Sequence, residues 1–519
     1  MKSPRTFPLF LAVAGAAAAS GCGLNQEGVP PPVDTFFYPA SAVTDPTGHW
    51  LFVANSNADL RYNDGTLVMV DLRSAASDYL RGRRDPNDPS SMGWDDCPEA
   101  DYVNKPRVRS PEPQFCCWDQ KDSNILNCDE RFYIRPDSKV PTTTVAIGSF
   151  AAGMVLQDPK AAQQACESND TGPRRLFVAV RGDTSITWVD LDDPKGDGSI
   201  LRFKCNSSAD GSQGLVTCDN DHRVTEGAVM LASATKDPNP PLVPLPNEPY
   251  ALAIDDYYGL LYVGHLNGDT GHAYTGGFSL FDIAPEKDFL PPPEFIAPFP
   301  SPFPPNANGL FGVTAFSRRP QGASAPIVYA SSRYTPIVTP LAAAVTCSES
   351  QASGQRFRDI AAFPSGFSYS TNIAGSETRG IEFVGDRPFV LQRFPPALVT
   401  FSSTPTGMMP ASMVETCSNP TYLYQYAPAG QNPRLLVNCY DVGEIDVFDT
   451  VAPHLIRGFS VGRGPAGLVF PPSSACPGRS VAYVVGFGDN NISVVDLTPG
   501  SPTELHVIQR IGFPSTVPR

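Results

Sequence analysis

Two imidazoles and a carboxylate stand close together in "GHLNGDTGHAYTGG", Gly264 to Gly277. His265, Asp269 and His272 offer donor atoms of the kind that hold a metal or orient a polar substrate. Their spacing matches no established ligand set, so they stand as weak metal candidates and a solvated turn is the plainer reading. "GRGPAG", Gly462 to Gly467, has the form of a dinucleotide-binding glycine loop. Such a loop must open a helix whose N-terminus meets pyrophosphate, and here "LVFPP" follows, a strand ending in two prolines. The glycines and Pro465 therefore read as a turn, and no cofactor is implied. Asp71, Asp190, Asp282, Asp449 and Asp496 recur at strand ends, where local turn hydrogen bonds are the expected use of a carboxylate. The chain has no HExxH, GxSxG, CxxCH or EF-hand pattern and only 6 histidines. No catalytic set is evident.

The cysteines carry a second chemistry. There are 12. Cys205 and Cys218 flank "NSSADGSQGLVT", and a disulfide closing that hairpin is the natural reading. Cys97, Cys116, Cys117 and Cys128 fall in one loop-rich stretch. Adjacent Cys116 and Cys117 would form a strained ring with each other, so each is expected to bond elsewhere. A four-cysteine zinc site is disfavoured because no CxxC spacing is present. Cys439 and Cys476 are candidates for a staple between neighbouring repeat units.

The elements that position these residues are short strands. Seven apolar runs end alike: "LVMVDL" at Leu67, "ITWVDL" at Ile186, "FSLFDI" at Phe278, "PIVTPL" at Pro336, "ALVTFS" at Ala397, "IDVFDT" at Ile445 and "ISVVDL" at Ile492. Each follows another run and a polar turn, as "AYVVGFG" at Ala482 precedes "ISVVDL". The runs are β-branched and bounded by Gly, Pro, Asn and Asp, which is the strand signature. Helical spacing is nearly absent, "PKAAQQACE" from Pro159 being the best short candidate. One four-stranded unit buries too little to stand alone. Units stacked face to face around an axis bury both faces of each sheet, which suits runs that are apolar at most positions. The expectation is an all-β, seven-bladed β-propeller, with six or eight blades as the neighbouring counts.

"FSVGRGPAGLVFPPSSACPGRSVAYVVGFGDNNISVVDLTPG", Phe459 to Gly500, resembles the YVTN-type propeller repeat, as do "PASAVTDPTGHWLFVAN" at Pro39 and "NEPYALAIDDYYGLLYVG" at Asn247. The resemblance implies the fold and says little of activity, since that family holds surface-layer proteins, secreted binders and some enzymes. Bare repeats span 47 and 48 residues between Phe401, Asp449 and Asp496, so the wider early spacings imply insertions at about 73–141 and 192–241. Both are expected after a third strand, forming a joint cap on one face of the ring.

The first 20 residues carry Lys2 and Arg5, an apolar Ala-rich run and then "ASGC", Ala19 to Cys22. The run is short for a membrane span and reads as an export signal. "ASGC" resembles the bacterial lipobox, which implies cleavage before Cys22 and acylation of that residue, including by palmitate. The expected organisation is a signal at 1–21, lipidated Cys22 and a Pro-rich tether at 22–34, and the propeller at 35–519. Gly23 in the next position points to the outer membrane, on either side.

Acidic residues outnumber basic ones, 53 to 38, for a net charge of −15. Such a surface repels phosphate backbones, so nucleic acid is not an expected partner. The leading expectation is an envelope lipoprotein acting as a non-catalytic binding or scaffold module for a protein or envelope polymer. The alternative is a propeller enzyme, a lactonase-like hydrolase with its site at the mouth of the central channel.

Overall fold

The computed structural model describes residues 28–513 except 89, 92, 98–114, 135–142, 159–173, 194, 206–214, 219, 229–241, 270–276, 286–289, 300, 322–323, 350–355, 405–406, 429 and 473–478. The signal, Cys22, the helix candidate from Pro159, His272 and Cys476 thus lie outside the described residues.

The valine-rich runs form antiparallel pairs. Val481–Gly486 and Asn491–Asp496 face each other from Val481↔Asp496 to Gly486↔Asn491, and both strands are buried along their whole length. Burial on both faces is the consequence of stacking. In blade one, Leu51 and Val53 point into a cluster with Val485 and Ile492 of blade seven. Their alternates Trp50, Phe52 and Ala54 point into another cluster with Leu176 and Val178 of blade two. Period-two alternation thus serves two interfaces rather than core and solvent.

Seven sheets of four sequential antiparallel strands result. Their innermost strands are Pro39–Thr44, Ala151–Gln157, Pro249–Asp255, Val313–Gln321, Ser376–Val384, Pro420–Tyr426 and Pro465–Val469. Each packs on the innermost strand of the next blade, and the first packs on the seventh. Seven apolar clusters lie one between each pair of neighbouring blades. The protein is a closed seven-bladed β-propeller. The six- and eight-blade alternatives fall away.

Blades one and seven are each one continuous stretch of chain, so no strand is exchanged at the seam. Side chains and the first insertion hold it instead. Tyr38 N donates to Asn490 Oδ1 at 2.7 Å. After Asp71 the chain turns into helix α1, Leu72–Leu80, because the Asp71 carboxylate accepts from the Arg73 and Ser74 N–H groups. Leu72 and Ala75 of α1 pack into the seam cluster. Leu126–Cys128 then pairs in parallel with the outer strand of blade seven, and Cys116–Trp118 pairs antiparallel with it, so that sheet has six strands.

The joint cap is a correction. The outer strand of blade two, Arg202–Lys204, comes soon after the third, so the second insertion follows the outer strand rather than the third. Its Val216–Thr217 pairs in parallel with the outer strand of blade one. The described parts of both insertions cover exposed sheet edges of the preceding blade, where unpaired N–H and C=O groups would otherwise face water.

Disulfides join Cys97 to Cys117, Cys116 to Cys128 and Cys205 to Cys218, so neighbouring Cys116 and Cys117 do bond apart. The expected staple from Cys439 is not formed. Cys439 bonds Cys417 within its own blade, because it ends a strand paired with Pro420, three residues beyond Cys417. Cys347 is disulfide-bonded as well. No described helix is long and apolar enough to cross a membrane.

Candidate functional site

Strand direction alternates in every blade, so the starts of all innermost strands, the turns between second and third strands, and the links between blades emerge on one face. We call it the entry face. The turns between third and outer strands emerge on the other.

His265 ends the second strand of blade three and has no exposure at all. Its Nδ1 lies 3.2 Å from Asn247 O and its Nε2 lies 2.8 Å from Ser279 Oγ. Burial pushes its pKa down to about 4, only partly offset by the backbone hydrogen bonds. A neutral ring with both nitrogens committed stitches two strands to the incoming link, so His265 is not in a solvated turn. Asp269 sits in a short backbone pairing with Leu310. Of the recurrent aspartates, Asp71, Asp282, Asp449 and Asp496 accept turn N–H groups as expected. Asp190 instead pairs Arg175 at 2.6 Å. Gly462 and Gly464 lie in the link into blade seven with φ of 103° and 64°, a turn and no phosphate cradle. Among the described residues, Cys417, Cys439 and Asp446 cluster in the manner of metal ligands, but the two sulfurs are joined to each other.

What sequence reasoning missed lies at the channel mouth on the entry face. Glu248 opens blade three and Glu377 opens blade five, both with left-handed backbone at φ 52° and 68°. Tyr38, Phe150 and Asn419 take the same conformation beside other innermost strands, so the turn belongs to the blade plan. For a non-glycine residue it costs about 1–2 kcal/mol, and it aims each glutamate along the mouth. Each glutamate holds two arginines. Glu248 faces Arg181 of blade two at 3.1 Å and Arg333 of blade four at 3.9 Å. Glu377 pairs Arg379 and lies 2.9 Å from Arg393. Either trio carries one cation in excess. The Nε–H groups of Arg181, Arg379 and Arg393 are buried without an acceptor.

Tyr250, two residues after Glu248, lies between the trios. Burial pushes its phenol up, but the Arg379 charge and hydrogen bonds from Tyr422 and Arg379 outweigh this and hold its pKa below the usual tyrosine value. Tyr422 is pushed well above that value by burial and by Tyr250. Blades three, five and six thus meet across the channel. Deeper in, burial raises Glu382 to about 7, and its charge reaches Tyr424. Beside the mouth a depression of about 370 Å³ is lined by Arg181, Thr184, Asn247, Glu248, Asn267 and Leu310. Arg333 Nη1 and Tyr334 OH both donate to Asn267 Oδ1, at 2.8 and 2.7 Å, and fix its rim. The arrangement can bind a carboxylate or phosphate by charge-assisted hydrogen bonds.

No family model and no curated protein matches the chain. Among solved structures it is similar to a periplasmic gluconolactonase of Pseudomonas aeruginosa, at 14% identity over 67% of this chain and 87% of that one, with a TM-score of 0.36. Virginiamycin B lyase of Staphylococcus aureus matches at 12% identity over 52% and 71%, TM-score 0.32. Sqt1 of Saccharomyces cerevisiae matches at 8% over 92% and 86%, TM-score 0.40. The fold rests on the strand pairings above, and these likenesses do not bear on what the chain does.

Proposed function

We propose that this chain is an envelope-anchored, non-catalytic binding module that takes an anionic group of its partner at the channel mouth. The anchor would be Cys22, acylated after removal of the signal, and the tether would hold the ring at the outer membrane. One observation carries the reading: Glu248 and Glu377 each hold two arginines at the mouth, which leaves each trio one cation in excess in a chain whose overall charge is −15. The partly exposed side chains of Arg181, Arg333 and Arg393 can meet an incoming carboxylate or phosphate by charge-assisted hydrogen bonds. The partner is thus a protein or envelope polymer bearing such groups, and the rigid ring presents the site without rearrangement.

The test is thermal stability of the purified chain with inorganic phosphate, a sugar phosphate and a uronic acid oligosaccharide. At least one is expected to raise Tm, and Arg379→Ala is expected to abolish the rise. No shift with any of them, or a shift that survives Arg379→Ala, overturns the reading.

A second reading, a lactonase-like hydrolase, draws on Tyr250. A phenol held below its usual pKa beside Arg379 has the character of a general base. Lactone hydrolysis by the wild-type chain, lost in Tyr250→Phe with Tm unchanged, would favour it over pure binding.

A further inference from the structure

The N-terminal segment reaches the ring on the entry face. Asn63, in the second turn of blade one, donates through its N to Val29 O at 3.0 Å and through its Nδ2 to Gly28 O at 3.1 Å. Thr144 Oγ1 donates to Val33 O at 2.5 Å and Asn55 Nδ2 to Thr35 O at 3.3 Å. From Gly28 back to Cys22 there are six residues, which reach at most about 20 Å fully extended. A membrane anchor at Cys22 would therefore hold blade one's part of this face within that distance of the lipid.

The same face divides in two around the ring. Blades two to four carry the polar depression and its arginines. Blades five, six, seven and one carry apolar tips, and exposed Phe363 and Phe367 continue them to the end of blade four and its link into blade five. Phe394 is 47% exposed at the end of blade five's second strand, and Val442 is 52% exposed in blade six's turn. Leu60 is 61% exposed in blade one's turn and Val29 58% exposed in the segment beside it. Between them Phe487 of blade seven sits 5.3 Å from Tyr38 and 6.2 Å from Tyr440. Apolar residues on successive turn tips, next to the point where the tether leaves, suit an interfacial layer better than bulk water.

We propose that the blade-five-to-blade-one half of the entry face rests on the lipid bilayer, with Leu60, Val442 and Phe394 among the headgroups. This rests on the lipid-anchor reading above and deepens it. The channel mouth then lies at the edge of the membrane contact, open to an anionic partner presented along the membrane surface, while the opposite face points away.

Hydrogen–deuterium exchange of the mature lipidated chain tests it, in mixed phosphatidylethanolamine and phosphatidylglycerol vesicles and compared with the unlipidated chain beginning at Gly23. Peptides over 57–64 and 440–443 are expected to exchange severalfold more slowly on vesicles. The turn holding Val451, exposed on the opposite face, should be unchanged. Protection around Val451 instead, or at neither face, overturns the proposal. A Leu60→Asp, Val442→Asp double variant, altered only at exposed tips, should keep its Tm and lose the vesicle protection; retained protection overturns the contact. An unmodified Cys22 peptide by mass spectrometry overturns the anchor and this orientation with it. The anion-binding reading would still stand or fall separately, on the soluble chain.

Discussion

Cys128, in the first insertion, pairs in parallel register with Ile511 in the outer strand of blade seven. Gly512 N also donates to Cys128 O at 2.8 Å, and Cys128 is disulfide-bonded to Cys116 on the neighbouring short strand. The ring is therefore latched at its seam by an element from blade one whose own two strands are too short to hold shape unaided. Replacing both cysteines by serine is expected to destabilise the chain by about 3 kcal/mol, the scale for a short disulfide-closed loop. Urea denaturation of Cys116→Ser, Cys128→Ser against wild type measures it, and an unchanged midpoint would show that the latch does not govern the seam.

The hairpin plan was legible because both faces of each middle strand are covered, which leaves near-continuous apolar runs such as Val481–Gly486. Blade two's outer strand was not, because Arg202–Lys204 is three residues long with a basic residue at each end and follows a Gly/Asp-rich turn. His265 was misjudged for a similar reason: strand Leu260–His265 runs one polar residue past its apolar core, and only Ser279 on the adjacent strand explains why. The mouth left no local signature. Arg181 and Arg333 stand in ordinary polar turns and meet Glu248 only once the ring closes, and Arg393 is one polar residue near the end of strand Arg387–Phe394.

Arg175 has the most buried guanidinium among the described ion pairs, and its partner is Asp190. The guanidinium is 1% exposed, its Nε and Nη2 donate to the two Asp190 oxygens at 2.6 and 3.1 Å, and it stacks 3.9 Å over Trp188. Arg175 Nη2 also donates to Leu290 O at 3.1 Å, tying blade two to blade three. Asp190→Ala strands a buried cation, and a loss of about 3–5 kcal/mol is expected. Adding Arg175→Met should restore most of it, which equilibrium denaturation of the single and double variants would measure.

His265 makes stability depend on pH in one direction. Its folded pKa of about 4 lies below the ordinary 6.5, so the unfolded chain takes up a proton that the folded chain refuses. This contribution is whole above pH 6.5 and is lost as pH falls toward 4. His265→Gln, which keeps polar contacts without titrating, is expected to flatten the acid limb of a Tm-against-pH curve; an unchanged slope would assign that limb to other groups.

Glu382 acts in the opposite direction. Its folded pKa of about 7 stands above the ordinary 4.5, so here the folded chain holds the extra proton. The contribution is complete below pH 4.5 and is lost as pH rises through 7, when a carboxylate must ionise inside the channel near Tyr424. Glu382→Gln, isosteric and uncharged, is expected to raise Tm at pH 8 and to leave it nearly unchanged at pH 4. The channel wall would also lose its one group that changes charge near neutral pH among those described at this depth. If the anionic probes bind less well as wild type is taken from pH 6 to pH 8, the variant should lose that dependence. A charge appearing below the mouth repels an anion held at Arg379, and glutamine removes the charge without moving the arginine.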